Sequence, residues 1–153
     1  MDLSNYPYSL QLLMMTDGTV TELVKLITGE EVVVNKISED VSKDQSLLDR
    51  KIYLSGKSSH KAWVYANSMI YLQRLPQEFV SDLLIKNVPI GTLWAKYKIE
   101  TYKEITGQFA ETTETESGPF ELSEELLCRS YKVFNNQQVI MNITEKFPIS
   151  LYQ

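Results

Sequence analysis

The sequence is poor in the residues that build disulfides, metal centres and hydrolytic triads. Cys128 is the only cysteine and His60 the only histidine among 153 residues. One cysteine cannot close a disulfide, and a single histidine does not readily assemble a thiolate zinc site or a Ser-His-Asp triad. The polar run around His60 favours a solvated turn. We therefore expect no metal and no cofactor, and chemistry that relies on carboxylates, guanidinium groups and the shape of a pocket.

Long apolar runs and basic clusters are also missing. The apolar stretches fall far short of the roughly 20 residues that a membrane-spanning helix needs, and the first ten residues lack the charged and apolar regions of a signal peptide. The net charge is −5, and no basic stripe could follow a phosphate backbone. These absences predict a cytoplasmic protein without a membrane or nucleic-acid partner.

What the sequence does contain is the composition of a globular domain. Hydrophobic residues make up 43% and charged residues 23% of the chain. A chain of this length buries about two thirds of the surface that its unfolded form exposes. We expect a single domain over residues 1–153.

Helical and strand patterns alternate unevenly along the chain. Helices are predicted over residues 8–15, 19–29, 75–87 and from Pro89 onward. Strands are predicted over residues 32–37, 50–55, 62–72, 97–110, 127–134 and 138–147, with loops at 38–45 and 111–125. Thr19 and Glu22 have the spacing of a capping box, and Gly29 supplies a helix stop. Sequential strands with short turns favour an α+β fold with one antiparallel sheet.

Four charged residues interrupt apolar rows of the predicted strands. Because side chains alternate across a strand, Arg50, Lys103, Arg129 and Glu145 each fall on the face that their strand otherwise fills with apolar or aromatic residues. A charge removed from water costs several kcal/mol unless it is paired or bound. Two explanations stay open. One is a buried Arg50–Glu145 ion pair; the other is a pocket in which three cations against one carboxylate leave two positive charges for an apolar dianion.

Several short segments resemble, in order and spacing, the chorismate pyruvate-lyases, in particular their shorter archaeal and bacterial branch. The segments are Thr16-Asp-Gly-Thr-Val-Thr-Glu-Leu, Thr28-Gly-Glu, Asp49-Arg50-Lys-Ile-Tyr-Leu, Val64-Tyr-Ala-Asn-Ser, Arg74-Leu-Pro, Pro89-Ile-Gly, Arg129-Ser-Tyr and Ile143-Thr-Glu145-Lys-Phe-Pro. The resemblance runs from about residue 10 to the end of the sequence. It implies a cofactor-free lyase that splits chorismate into 4-hydroxybenzoate and pyruvate. It also implies a six-stranded antiparallel sheet with helices over one face and an enclosed site beneath helix-turn flaps.

The resemblance further implies roles for individual residues. Arg50 is expected to bind the ring carboxylate, since its planar fork suits a carboxylate. Glu145 is expected to face the ring hydroxyl, and we hypothesise that it assists proton transfer. The backbone amide of Ile90 is expected to contact the ligand, and a flap residue falls at or within one residue of Val20.

The second carboxylate of the substrate has no obvious binder in this sequence. Longer relatives place an arginine where this chain has Asn67, and another where it has Lys103, so both positions are expected among the substrate-binding residues. Lysine keeps the charge but loses the bidentate fork. Lys103 or Arg129 is therefore expected to hold the second carboxylate.

Two alternatives for the function stay open. The same fold forms the effector-binding half of some bacterial transcription regulators, so a non-catalytic module that binds an aromatic acid is one of them. Those regulators carry a helix-turn-helix ahead of the module, and only about 15 residues precede the first motif here. A related chorismate-consuming enzyme that gives another hydroxybenzoate is the second.

Overall fold

The computed structural model describes residues 1–114 and 118–153, and in them six strands form one antiparallel sheet. The strands are β1 (Val32–Val41), β2 (Leu47–Gly56), β3 (Ala62–Tyr71), β4 (Tyr102–Thr112), β5 (Glu125–Asn135) and β6 (Gln138–Pro148). Their order across the sheet is β1-β2-β3-β6-β5-β4. The helices are α1 (Tyr8–Met15), α2 (Val20–Thr28), α3 (Gln77–Ile85) and α4 (Ile90–Tyr97). The predicted α+β fold with a six-stranded antiparallel sheet is confirmed.

Helix α2 begins and ends close to where the sequence predicts. Gly29 has φ 72° and ends the helix in the left-handed conformation, as expected of a glycine at this position. The predicted capping box is wrong, because Thr19 makes no side-chain bond to the helix amides within the described residues. The carboxylate of Glu22 instead lies 3.3 Å from the Lys25 ammonium group.

Strand β1 is longer than predicted, because the expected loop at 38–45 begins as strand. The pairing register of β1 with β2 shifts between Lys36 and Ser38, so Ile37 forms a β-bulge. A bulge inserts one residue and reverses which face the following side chains occupy. Glu39 consequently lies directly opposite Arg50.

The predicted strand over residues 97–110 begins too early. Helix α4 runs through Tyr97, and Lys98 ends it with φ 50° in the left-handed region. The Tyr97 ring lies 5.8 Å from that of Phe79, and its hydroxyl donates to Asp82 at 2.6 Å. These contacts with α3 stabilise the last turn of α4, where the alternating sequence pattern predicted a strand. Of the predicted loop at 111–125, residues 115–117 lie outside the described residues.

Two apolar clusters join the helices to one face of the sheet. The first packs α1 and α2 on the sheet, through residues such as Leu13, Val24 and Phe147. The second packs α3 and α4, through residues such as Phe79 and Leu93. The helices therefore cover one face, as predicted. No helix in the described ranges is long and apolar enough to cross a membrane.

Candidate active site

A cavity lies where the two apolar clusters meet. It encloses about 630 Å³ of space not occupied by atoms, the open solvent at its mouth included. The sheet forms its floor, and the first turns of α2 and α4 form its roof. Its apolar lining includes Val20, Ile52, Leu54, Val64, Ile90, Trp94, Val133 and Ile143.

Five polar side chains reach the cavity wall, each from a different strand. They are Arg50 from β2, Ser68 from β3, Lys103 from β4, Tyr131 from β5 and Glu145 from β6. Arg50 is 2% exposed and Glu145 is 5% exposed, so both are almost withdrawn from bulk water. The structure thus brings together the predicted Arg50, Lys103 and Glu145, under a roof that contains the predicted Val20 and Ile90.

Glu145 is held through both of its carboxylate oxygens. Arg129 Nε donates to Oε2 at 2.8 Å, and the Tyr131 hydroxyl donates to Oε1 at 2.8 Å. Burial raises the pKa of Tyr131 well above its ordinary value, and the Glu145 carboxylate raises it further, so this hydroxyl stays a donor. These two hydrogen bonds, one on each oxygen, fix the orientation of the carboxyl group. The remaining lone pairs of Glu145 can accept a proton or a hydrogen bond from a ligand.

Arg50 is anchored on one side and free on the other. Its Nε donates to Glu39 Oε1 at 3.2 Å, and Lys36 Nζ lies 3.1 Å from the same oxygen. Its Nη2 is buried and has no hydrogen-bond partner within residues 1–114 and 118–153. A buried donor without an acceptor costs roughly 1–3 kcal/mol, so a bound carboxylate would relieve this cost.

The predicted ion pair between Arg50 and Glu145 is wrong. Glu145 pairs with Arg129, its register partner on β5, and Arg50 pairs with Glu39 across the bulged β1. The charges around the cavity differ in their pairing from what the sequence predicts. Glu39 lies between Arg50 and Lys36, Glu145 pairs with Arg129, and Lys103 has no carboxylate partner among the described residues.

Lys103 is the cation that faces the cavity without a carboxylate partner in the described chain. Its Nζ donates to the Gly18 carbonyl oxygen at 2.7 Å and lies 5.6 Å from the centre of the Tyr131 ring. Burial lowers its pKa, whereas the nearby Glu145 raises it. A second anionic group of a ligand would meet this ammonium group first.

Two of the predicted binding residues do not line the cavity. Asn67 lies opposite Lys51 on β2 and Thr144 on β6, so its side chain occupies the outer face of the sheet. The expectation that Asn67 contacts the ligand is corrected on this ground, because the neighbouring Ser68 takes the inward position. Arg129 is 1% exposed and lies behind Glu145 rather than in the cavity wall.

The segment that leads into α2 is hydrogen-bonded to side chains of β4 and β5. Three side chains of β4 and β5 donate to its carbonyl oxygens. The bonds join Gln108 Nε2 to Met14 O at 3.1 Å, Arg129 Nη1 to Thr16 O at 2.7 Å, and Lys103 Nζ to Gly18 O at 2.7 Å. Arg129 therefore links the site carboxylate to the roof through a single side chain.

The two halves of the roof touch at Thr19 and Gly91. A Cβ atom placed on Gly91 would lie 2.3 Å from Thr19 Cγ2, far inside van der Waals contact. A side chain at this position would therefore require the Thr19 methyl group or one of the two helix ends to move. Thr19 and Gly91 both line the cavity.

We expect Gly91→Ala to lower the free energy of unfolding by about 1–3 kcal/mol, because the added methyl group forces the two helix ends apart. Chemical denaturation of the purified variant measures this change. The matched control is Gly91→Ala with Thr19→Ser, which removes the methyl group that the new Cβ would strike. Most of the lost stability should return in the double variant, and equal stability of wild type and Gly91→Ala would contradict this roof contact.

Three residues of the site were not found from the sequence. Glu39 reaches Arg50 only because of the bulge at Ile37, which no local pattern reveals. Tyr131 lies two residues beyond Arg129 on the same face, and this parity could have indicated its role. Ser68 lies inside a motif of the resemblance, but its inward orientation needs the strand register. Among the described residues no three His, Cys, Asp or Glu side chains are placed to hold a metal ion.

Comparison with known proteins identifies the family to which this chain is similar. Residues 14–153 match the family model described as chorismate pyruvate-lyase Rv2949c-like. A chorismate pyruvate-lyase of Mycobacterium leprae (strain TN) is 30% identical over 159 residues, which cover 94% of this chain and 76% of that protein. The putative lyase MJ0807 of Methanocaldococcus jannaschii is 28% identical over 148 residues, covering 91% of this chain and 77% of that protein.

Solved structures show the same fold at much lower sequence identity. The effector domain of PhnF from Mycobacterium smegmatis superposes with a TM-score of 0.63 and 10% identity, covering 88% of this chain and 90% of that one. A product of Staphylococcus aureus, SA0254, gives a TM-score of 0.64 at 9% identity over 90% of this chain and 92% of that one. At such identities the likeness concerns the fold alone.

Proposed function

Since the chain belongs to the chorismate pyruvate-lyase Rv2949c-like family, we propose that it converts chorismate into 4-hydroxybenzoate and pyruvate by a cofactor-free elimination. The observation that carries the proposal is the joint placement of Arg50 and Glu145 in one buried cavity. Arg50 offers an unpartnered buried donor, and Glu145 offers a fixed acceptor.

The spacing of these two groups suits a ring with substituents at opposite ends. Glu145 lies two strands from Arg50, and it is in register with Ala66, whereas Arg50 is in register with Ser68. Strands about 4.8 Å apart and a rise of about 3.3 Å per residue put their Cα atoms roughly 12 Å apart. Two long side chains that converge across this distance leave space for one six-membered ring between them.

The proposed reaction breaks two bonds of the substrate and makes its ring aromatic. The C–H bond at the hydroxyl-bearing carbon breaks, and its electron pair forms the new ring double bond. The adjacent C–O bond to the enolpyruvyl group breaks, and the departing enolpyruvate takes up a proton to become pyruvate. Aromatisation supplies driving force, so the protein mainly has to orient the substrate and exclude water.

Glu145 and Arg50 would act on opposite ends of this substrate. Arg50 would hold the ring carboxylate and so fix the ring in the cavity. Glu145, held in place by hydrogen bonds from Arg129 and Tyr131, would accept a hydrogen bond from the ring hydroxyl and lie beside the carbon that loses its proton. The amide of Ile90, in the first turn of α4, would add a donor from the roof.

Lys103 is the proposed binder of the enolpyruvyl carboxylate. We expect Lys103→Met to raise KM for chorismate about 10- to 100-fold, because a charged hydrogen bond is lost. The affinity for 4-hydroxybenzoate should stay within about threefold of wild type, because the product lacks the second carboxylate. Steady-state kinetics and calorimetry measure the two quantities. Equal losses for both compounds would mean that Lys103 only fastens the roof through Gly18.

A direct assay tests the proposed function. Purified protein, treated with a metal chelator, is incubated with chorismate while the absorbance of 4-hydroxybenzoate and the release of pyruvate are followed. Equimolar formation of both products is expected, and an Arg50→Met sample prepared in parallel reports any spontaneous breakdown of chorismate. Tight binding of 4-hydroxybenzoate without turnover would identify a binding module instead, and a different hydroxybenzoate would identify a related lyase.

A further inference from the structure

Ser68 places a hydroxyl group beside Arg50 in the cavity wall. The two residues are direct cross-strand partners in the β2–β3 register, and both point inward. Directly opposite residues of an antiparallel pair have Cβ atoms about 4.5–5.5 Å apart. Ser68 is 5% exposed and lines the cavity, so its hydroxyl group lies in the same wall as Arg50, whose Nη2 has no hydrogen-bond partner within the described residues.

A carboxylate bound at Arg50 can accept a hydrogen bond from a second donor nearby. A carboxylate often binds arginine side-on, through Nε and one Nη nitrogen. Here Nε already donates to Glu39, so the ligand can use only the terminal nitrogens, of which Nη2 is unpartnered. Each carboxylate oxygen accepts about two hydrogen bonds, so acceptor capacity remains after Arg50 has bound.

We propose that Ser68 is a binding residue for the ring carboxylate, to which its hydroxyl donates a hydrogen bond alongside Arg50. The inference rests on the proposed function, in which this carboxylate lies at Arg50. It adds a determinant of specificity, because a neutral donor next to the guanidinium group favours an acid over a ligand with an apolar group at that position. The hydroxyl fixes the plane of the carboxylate and therefore the rotation of the ring above the floor.

The test compares two ligands and two variants. Affinities for 4-hydroxybenzoate and for 4-methylphenol, which lacks the carboxylate, are measured by calorimetry on wild type and on Ser68→Ala. We expect Ser68→Ala to weaken the binding of 4-hydroxybenzoate about tenfold, because one hydrogen bond to a charged group is lost. The affinity for 4-methylphenol should change by less than about twofold, because it offers nothing to the hydroxyl.

Ser55→Ala is the matched control for burial and side-chain loss. Ser55 is 7% exposed, lies on the same sheet, and is not in the cavity wall. This control should leave both affinities unchanged. Equal weakening of both ligands by Ser68→Ala, or no weakening of either, would overturn the proposed role of Ser68. If wild type binds 4-hydroxybenzoate but does not cleave chorismate, the lyase proposal fails while the ratio of affinities still decides the role of Ser68.

Discussion

Arg50→Met is expected to weaken 4-hydroxybenzoate binding by about 10²- to 10³-fold and to raise KM for chorismate by a similar factor. The guanidinium group is 2% exposed, so its bond to a carboxylate forms with little competition from water. Truncating one partner of a buried charged pair typically costs 2–5 kcal/mol, and each 1.4 kcal/mol is a factor of ten. Calorimetry with the product and steady-state kinetics with chorismate provide the measurement.

Loss of Arg50 also removes one of the two cations that contact Glu39. The resulting loss of stability has to be distinguished from the loss of ligand binding. Lys36 stays 3.1 Å from the Glu39 carboxylate, so part of the compensation remains. The double variant Arg50→Met with Glu39→Gln removes the leftover charge. It should regain stability in chemical denaturation without regaining ligand affinity. Recovery of affinity in the double variant would show that Arg50 acts only through the fold.

Arg50→Lys adds a second comparison at the same position. Lysine keeps the positive charge but has neither the Nε that bonds Glu39 nor a second terminal nitrogen. We expect its affinity for the product to lie between that of wild type and that of Arg50→Met. Full affinity in Arg50→Lys would mean that charge alone, without the fork, holds the carboxylate.

Glu145→Gln is expected to lower kcat for chorismate by about 10²- to 10⁴-fold, the usual contribution of a positioned acid or base. The amide is nearly the same shape, but it carries no charge and is a poor proton acceptor. Because Arg129 then lacks its carboxylate, the free energy of unfolding should fall by about 3–5 kcal/mol. Single-turnover kinetics, run at a temperature where the variant is folded, measure the chemical step.

Tyr131→Phe is the matched control for Glu145. It removes one of the two donors to the carboxylate and preserves both the ring and the charge. We expect its kcat to stay within about tenfold of wild type, since one hydrogen bond is lost. Full turnover by Glu145→Gln would show that the carboxylate has no part in proton transfer. A loss in Tyr131→Phe as large as in Glu145→Gln would show that orientation, rather than charge, is decisive.

Alternation along the strands was sufficient to identify the buried charges. Arg50 and Glu145 interrupt apolar rows, and both are buried in the structure. This worked because β2 and β6 keep a strict period of two around these positions, with no register shift between Arg50 and Leu54 or between Met141 and Phe147. The same reasoning failed for Glu39, since the bulge at Ile37 precedes it.

The alternating pattern of the strands could not predict which arginine pairs with which carboxylate. Two arginines and two inward carboxylates allow more than one pairing, and alternation gives only the face of each side chain. The strand order β2-β3-β6-β5 places Arg129 beside Glu145 and leaves two strands between Arg50 and Arg129. The predicted Arg50–Glu145 pair was wrong for this reason.

The sequence by itself determined the class of fold, the family resemblance and the inward placement of Arg50 and Glu145. These follow from local periodicity, turn chemistry and the order of short motifs, all of which act over a few residues. Only the tertiary structure decided that Glu145 is held by Arg129 and Tyr131, that Glu39 anchors Arg50, and that Ser68 faces the cavity. Those features depend on strand order, on a bulge and on the meeting of two helix ends, which join residues far apart in the chain.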